Sequence, residues 1–222
     1  MLSKLFIFIN ILLLAACSSQ ESKTSSIVEL VDMDYRFSST ILAQFCAENK
    51  VESTSVYQWQ NHWVIYGTQN AAELAEKIEN KFPKLKVNVY ETAFYKFDRQ
   101  KATKELPAKE WTNIIMTANL VADTIKQKEY MEYHLTQFEK WPEISKGFCN
   151  ADFQQLLVFR TGRQLMLVIS IPKGKTLDEL NPKTTENNPQ VDKWNKIMAN
   201  YQEGIEDAPK GTTWVMFSSI KN

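Results

Sequence analysis

One order of secondary-structure signals runs through this chain twice, and that repetition limits the fold more than any single motif. In the first pass, SIVELVDMD from Ser26 reads as a strand, and SSTILAQFCAENK as a helix with Ser38 or Ser39 as its N-cap. STSVYQWQ and HWVIYG read as two strands turned at Gln60-Asn61. Asn70 caps the helix AAELAEKIENKF, whose Leu74 and Ile78 share a face, Pro83 stops it, and KLKVNVYETAFYKF closes the unit as one long strand. In the second pass, WTNIIMTANL is a strand and one long helix runs from about Asp123 to Lys140 or beyond. FQQLLVFRTG and RQLMLVISIP form a hairpin around Thr161-Gly162, VDKWNKIMANYQEGI is a helix, and TTWVMFSSI is the last strand.

Each pass therefore has the order β-α-β-β-α-β. That order implies an antiparallel sheet with both helices on one face, the ferredoxin-like arrangement, and an α+β fold class with two such copies. Val56-Tyr57 with HWVIY overlays on Val158-Phe159 with LMLVI, and Cys46 and Cys149 fall at similar places. The predicted divisions are an N-terminal copy over 26–98, a linker over 99–110 and a second domain over 111–222. The linker, DRQKATKELPAKE with its flank residues, is charged and contains Pro107, as a boundary should.

The N-terminus carries a separate message. After Lys4, the stretch LFIFINILLLAA is apolar apart from Asn10, the length of a signal-peptide core and too short to span a bilayer. It ends in Leu14-Ala15-Ala16-Cys17, which resembles the bacterial lipobox, where cleavage frees the cysteine for acylation. The expectation is a signal peptide over 1–16, a lipid on Cys17 and a polar tether, SSQESKTSS, within 17–25. The chain is then a lipid-anchored protein of a bacterial cell envelope, on the periplasmic or outer-membrane face. Basic and acidic residues balance, with 26 of each, so nucleic acid is not an expected partner. There is no Cys-x-x-Cys and no Cys/His cluster, so no metal is expected. An exported chain allows a Cys46–Cys149 bridge; two buried free thiols are the commoner arrangement.

Tyr130, His134, Phe138 and Trp141 are spaced 0, 4, 8 and 11, within an arc of roughly 80° on one continuous helix. An imidazole among aromatic rings suits proton transfer near neutral pH, although a single helical histidine is more often structural. Val191, Trp194, Met198 and Tyr201 form a similar stripe after the break Asn187-Asn188-Pro189, and Trp214 falls on the last strand. Such a stripe is core more often than site, yet an aromatic wall with polar tips suits a sugar. His62, beside a turn, reads as structural or exposed, and Glu143 as either catalytic or solvated.

At these residues the second copy resembles the L-rhamnose mutarotase family. The resemblance rests on Tyr130-MEY-His134, Trp141-Pro142-Glu143, Asn188-Pro189, Trp194-NKI-Met198, Tyr201-Gln202 and Trp214, in that order. It covers about Trp111 to Ile220. It implies interconversion of α and β anomers of a deoxy-hexose such as L-rhamnose or L-fucose, with no cofactor. His134 would carry protons, Tyr130 would bind the sugar or orient the imidazole, and Trp141, Trp194, Met198, Tyr201 and Trp214 would hold the substrate. Trp-Pro-Glu follows the histidine by seven residues where the family usually has four, so Phe138 competes with Trp141 for its place. The family dimerises, whereas this chain adds a copy lacking Tyr-x-x-x-His; that copy is expected to mimic the missing partner, making a monomeric pseudo-dimer like a dimeric α+β barrel. The alternatives are a sugar-binding lipoprotein without turnover and a structural envelope module.

Overall fold

The computed structural model describes residues 25–220 apart from Gln69 and Asp98. The predicted signal segment, Cys17 and most of the tether lie outside the described residues. The first run comprises β1 (Ser26–Val31), α1 (Ser39–Glu48), β2 (Val56–Trp59), β3 (His62–Thr68), α2 (Ala71–Lys81) and β4 (Lys86–Tyr90). Next come the short β5 (Tyr95–Phe97) and α3 (Arg99–Ala102). The second run comprises β6 (Trp111–Leu120), α4 (Thr124–Leu135), α5 (Gln137–Lys140), α6 (Pro142–Asn150), β7 (Gln155–Thr161) and β8 (Gln164–Pro172). It ends with α7 (Leu177–Leu180), α8 (Pro189–Met198), β9 (Gln202–Glu203) and β10 (Val215–Ser219).

The strands form one curled antiparallel sheet in the order β4-β1-β3-β2-β10-β6-β8-β7-β5, with β9 added beside β6. Within β1–β4, and again within β6, β7, β8 and β10, the spatial order is fourth, first, third, second. The period-two alternation of the strands sorts side chains to two faces. On β1, Val28 and Leu30 pack under α1 and α2, whereas Ile27 faces the opposite half. On β7, Leu156 and Val158 face the helices of the second half, whereas Leu157 and Phe159 face inward against Ile27, Val64 and Tyr66. The result is three apolar layers, with helices outside and a shared interior between the two halves of the sheet.

The junctions between the halves are specific. Strand β10 pairs with β6 through Val215–Phe217 and then with β2 through Ser218 and Ser219. At the other end the Thr161 hydroxyl donates to the Val89 carbonyl at 3.0 Å. No helix among the described residues is long and apolar enough to cross a membrane.

Local signals explain most of the elements. Ser38 accepts from the Ile41 amide and Asn70 from the Glu73 amide, so both helices of the first run start where their caps predict. Gln60 takes a positive φ of 48° to turn the β2–β3 hairpin, and Gly162 (φ 56°) the β7–β8 hairpin. Cys46 and Cys149 are free thiols, Cys46 buried in the first core and Cys149 half-buried.

Four expectations are corrected. The long helix is three segments, broken at Thr136 and again at Trp141, where Pro142 takes the first position of α6 and cannot donate to an earlier turn. The long strand ending the first run splits into β4 and β5. After Tyr90 the chain leaves β1, and the Phe94 amide bonds to the Val158 carbonyl, so β5 extends the free edge of β7 and buries Tyr95 and Phe97 in the second core. The second helix of the second run ends at Met198, so Tyr201 lies in the turn before β9. Trp214 immediately precedes β10 rather than lying on it.

Candidate functional site

Between the helices and the sheet of the second half lies a cavity of about 330 Å³, at the small end of the range for small-molecule sites. Its floor is apolar, built from Leu156 and Val158 of β7 and Leu167 and Ile169 of β8. Tyr130 and His134 of α4, with Trp194 and Met198 of α8, supply the opposite wall, and Trp214 and Gln202 close one side. Asp123 caps α4 by accepting from the Ile125 and Lys126 amides, so the helix turns Gln127, Tyr130 and His134 inward on successive turns. Pro189 opens α8, and Asn188 just before it donates to the Glu143 carbonyl at 2.8 Å, tying α8 to α6.

His134 is packed among rings: Tyr130 at 4.3 Å between centroids, Tyr95 at 5.2 Å, Trp194 at 5.4 Å and Phe94 at 5.7 Å. Burial in this apolar shell pulls its pKa down to about 4, against a smaller opposing effect from its bond to the Tyr130 carbonyl. The imidazole is therefore neutral at pH 7. Its Nδ1 lies 2.9 Å from the Tyr130 carbonyl oxygen, which only accepts, so Nδ1 carries the single ring proton. The lone pair is left on Nε2, which has no hydrogen-bond partner among the described residues. His134 meets the cavity as a proton acceptor.

The tyrosine has the opposite role, and a chain of two bonds fixes it. An indole N–H only donates, and Trp214 Nε1 bonds Gln202 Oε1 at 3.1 Å. The amide is thus oriented, and Gln202 Nε2 donates to the Tyr130 hydroxyl oxygen at 3.1 Å. The phenol accepts from Gln202, so its own O–H is free to donate toward the cavity. Burial also drives the Tyr130 pKa well above that of free tyrosine, so the proton stays on the oxygen at any ordinary pH. Gln202 is held by the pairing of β9 with β6, opposite Leu120.

The predicted residues divide into two groups. Tyr130, His134, Trp194, Met198 and Trp214 line the cavity. Trp141 and Tyr201 stand outside its wall. Trp141 packs edge-on behind Trp194 at 5.7 Å, under the Lys193 ammonium, and Tyr201 donates to Glu129 at 3.1 Å. Phe138, the rival for the place of Trp141, is stacked on Tyr95 at 5.7 Å and is also outside. The break at Thr136 is the reason: Phe138 and Trp141 no longer continue the face of Tyr130 and His134. The Glu143 side chain does not line the cavity. His62 is neither exposed nor near it, but buried in the interior between the halves.

Four contributors went unread in the sequence. Tyr95 reaches the cavity because β5 crosses to β7, and its hydroxyl donates to the buried Gln137 at 2.8 Å. Asn181 and Asn195 add amides at the rim. Gln202 sits beside Tyr201 in the quoted motif, but its role depends on a two-residue strand that leaves no periodic signal.

The fold and cavity define a class: an α+β domain whose antiparallel sheet and helices enclose an aromatic pocket with one proton donor and one proton acceptor side by side. Residues 113–220 match the model of the L-rhamnose mutarotase family. A UPF0734 protein of Dictyostelium discoideum is 23% identical over 101 residues, spanning 46% of this chain and 78% of that protein. The family match contains every cavity residue named above except Tyr95 of β5.

Proposed function

We propose that this chain is a mutarotase that interconverts the α and β anomers of a deoxy-hexose such as L-rhamnose or L-fucose. The observation that carries the reading is the opposed hydrogen-bond polarity of Tyr130 and His134 on adjacent turns of α4. Mutarotation needs that pair and no more. The Tyr130 hydroxyl gives its proton to the ring oxygen while His134 Nε2 takes the proton of the anomeric hydroxyl. The bond between the anomeric carbon and the ring oxygen breaks, leaving an aldehyde. Rotation about the adjacent carbon–carbon bond presents the other carbonyl face. On reclosure His134 returns its proton to the anomeric oxygen and the phenolate takes one back from the ring hydroxyl. Trp194 and Trp214 offer the apolar faces on which the sugar C–H groups lie. The test is optical rotation: freshly dissolved α-L-rhamnose reaches its equilibrium rotation faster with the protein than without it, and an unchanged time course with both L-rhamnose and L-fucose refutes the reading.

A sugar-binding protein without turnover is the second reading. It is favoured by the position of Trp141 behind the wall and by the low basicity that burial gives His134.

The strand order β4-β1-β3-β2 supports a further part of the proposal, that the N-terminal copy read over 26–98, apart from the β5 segment that joins β7, is a second ferredoxin-like unit standing where a partner subunit would stand. The chain then works as a monomeric pseudo-dimer, and a solution mass of two chains counts against it. Cys17 in Leu14-Ala15-Ala16-Cys17 supports anchoring by lipid at the cell envelope. Mass spectrometry of the exported chain tests this through a diacylglyceryl adduct on Cys17.

A further inference from the structure

A second polar site occupies the interior between the two halves, on the opposite face of the second half of the sheet from the His134 cavity. Glu29 of β1 is fully buried there, in a layer whose neighbours Ile27, Val64 and Met166 are apolar. Four donors converge on its two oxygens: His62 Nδ1 at 2.9 Å and Gln164 Nε2 at 2.9 Å on one, Asn88 Nδ2 at 2.8 Å and the Tyr90 hydroxyl at 3.0 Å on the other. Burial alone would raise the Glu29 pKa, but these bonds and the His62 ring hold it below the ordinary value. The carboxylate is ionised and saturated. A buried, fully hydrogen-bonded carboxylate of this kind adds little stability over apolar side chains of the same size, so stability does not account for it.

The arrangement orients the imidazole. A carboxylate only accepts, so His62 Nδ1 carries a proton and points at Glu29, and Nε2 points the other way. The His62 side chain is nine-tenths buried, and Asp207 Oδ2 lies 4.0 Å from Nε2, beyond a hydrogen bond. Between them opens a cavity of about 410 Å³ that shares no residue with the His134 cavity. Both halves build it: His62, Lys86 and Asn88 from the first, Asn119, Gln164 and Asp207 from the second. Because Asn88 and Gln164 commit their amide nitrogens to Glu29, their carbonyl oxygens face away from it.

We propose that this cavity is a second ligand site, for a small uncharged polyhydroxylated compound, with His62 Nε2 as its innermost polar contact. The lining selects that class. Lys86 and Arg163 are balanced by Glu206 and Asp207, and Arg163 is already paired with Glu203, so the site favours neither an anion nor a cation. It combines acceptors (Asn88, Gln164 and Asp207) with donors (Lys86 and Asn119), as vicinal hydroxyl groups require. The proposal does not rest on the mutarotase reading.

The chain has two histidines, so imidazole NMR reports on the two cavities separately. The full chain with isotope-labelled histidine is titrated with L-rhamnose, D-glucose and myo-inositol to about 50 mM, well above a weak millimolar dissociation constant. Loss of a signal set in His62→Gln assigns the other to His134. At least one probe shifts the His62 signals saturably, and Asn119→Leu and Asp207→Asn, the latter on an exposed loop, each weaken that response threefold or more. The proposal is overturned if no probe shifts His62, if the shift grows without saturating, or if both variants respond like the native chain. Failure of the mutarotase reading would appear at His134 and in anomer exchange, not here.

Discussion

Replacing Gln202 by Glu tests the proton logic of the site with almost no change of shape. The native amide accepts from Trp214 and donates to Tyr130 at 3.1 Å each. An ionised carboxylate in its place still accepts from Trp214 but cannot donate. It accepts from the Tyr130 hydroxyl instead, turning the phenolic proton away from the cavity. The reaction then lacks its general acid. Such groups contribute typically about 10²–10⁴-fold, so Gln202→Glu should lower kcat for anomer exchange by at least about 100-fold at pH 7, with KM little altered. The pH profile carries a sharper signature. Once the introduced carboxyl is protonated it donates as the amide did, so the variant should regain activity as the pH falls toward 5, whereas the native rate is flat there because His134 does not protonate until about 4. Anomer exchange at pH 5 to 8 measures both effects. A variant within threefold of native across that range would refute the assignment of Tyr130 as proton donor.

Three further perturbations have defined outcomes. The unfolded chain protonates His134 below its ordinary 6.5 and the folded chain only below about 4, so stability is full above pH 6.5 and falls as the pH drops toward 4, by up to about 3 kcal/mol; urea midpoints should fall less steeply with acid in His134→Gln than in the native chain. A Cβ on Gly147 would lie 2.6 Å from the Thr184 carbonyl oxygen and 2.9 Å from Val191, so Gly147→Ala should cost about 1–3 kcal/mol in urea unfolding by forcing α6 and α8 apart. Glu29→Ala takes the acceptor from two buried donors, His62 and Tyr90, and from the half-buried Asn88 and Gln164, and should cost about 3–5 kcal/mol, seen as a lowered midpoint with an unchanged urea dependence.

Much of this architecture was legible because it depends on local rules. Alternation placed the strands, Ser38 and Asn70 marked helix starts, and Pro189 marked α8. The misreadings share a cause, which is that tertiary pairing chose between locally equivalent options. Nothing in KLKVNVYETAFYKF signals that the strand changes partners after Tyr90; the free edge of β7 decides it. Thr136 is not a strong helix breaker, and the arc joining Tyr130 to Trp141 assumed a helix without interruption. Pro142 was the visible warning, since a proline there ends the preceding helix. Tyr130 and His134 survived because they lie within α4, upstream of the break. Glu29 is the single charge in SIVELV and went unread, since its partners come from three other strands up to 135 residues away.

The central claim is tested most directly by saturation transfer between the α and β anomeric protons of L-rhamnose, and then of L-fucose, with the native chain and His134→Ala side by side. The account predicts exchange well above the spontaneous rate with the native chain for at least one sugar, and its loss in the variant. Exchange at the spontaneous rate with both sugars, or exchange that His134→Ala leaves intact, would contradict it.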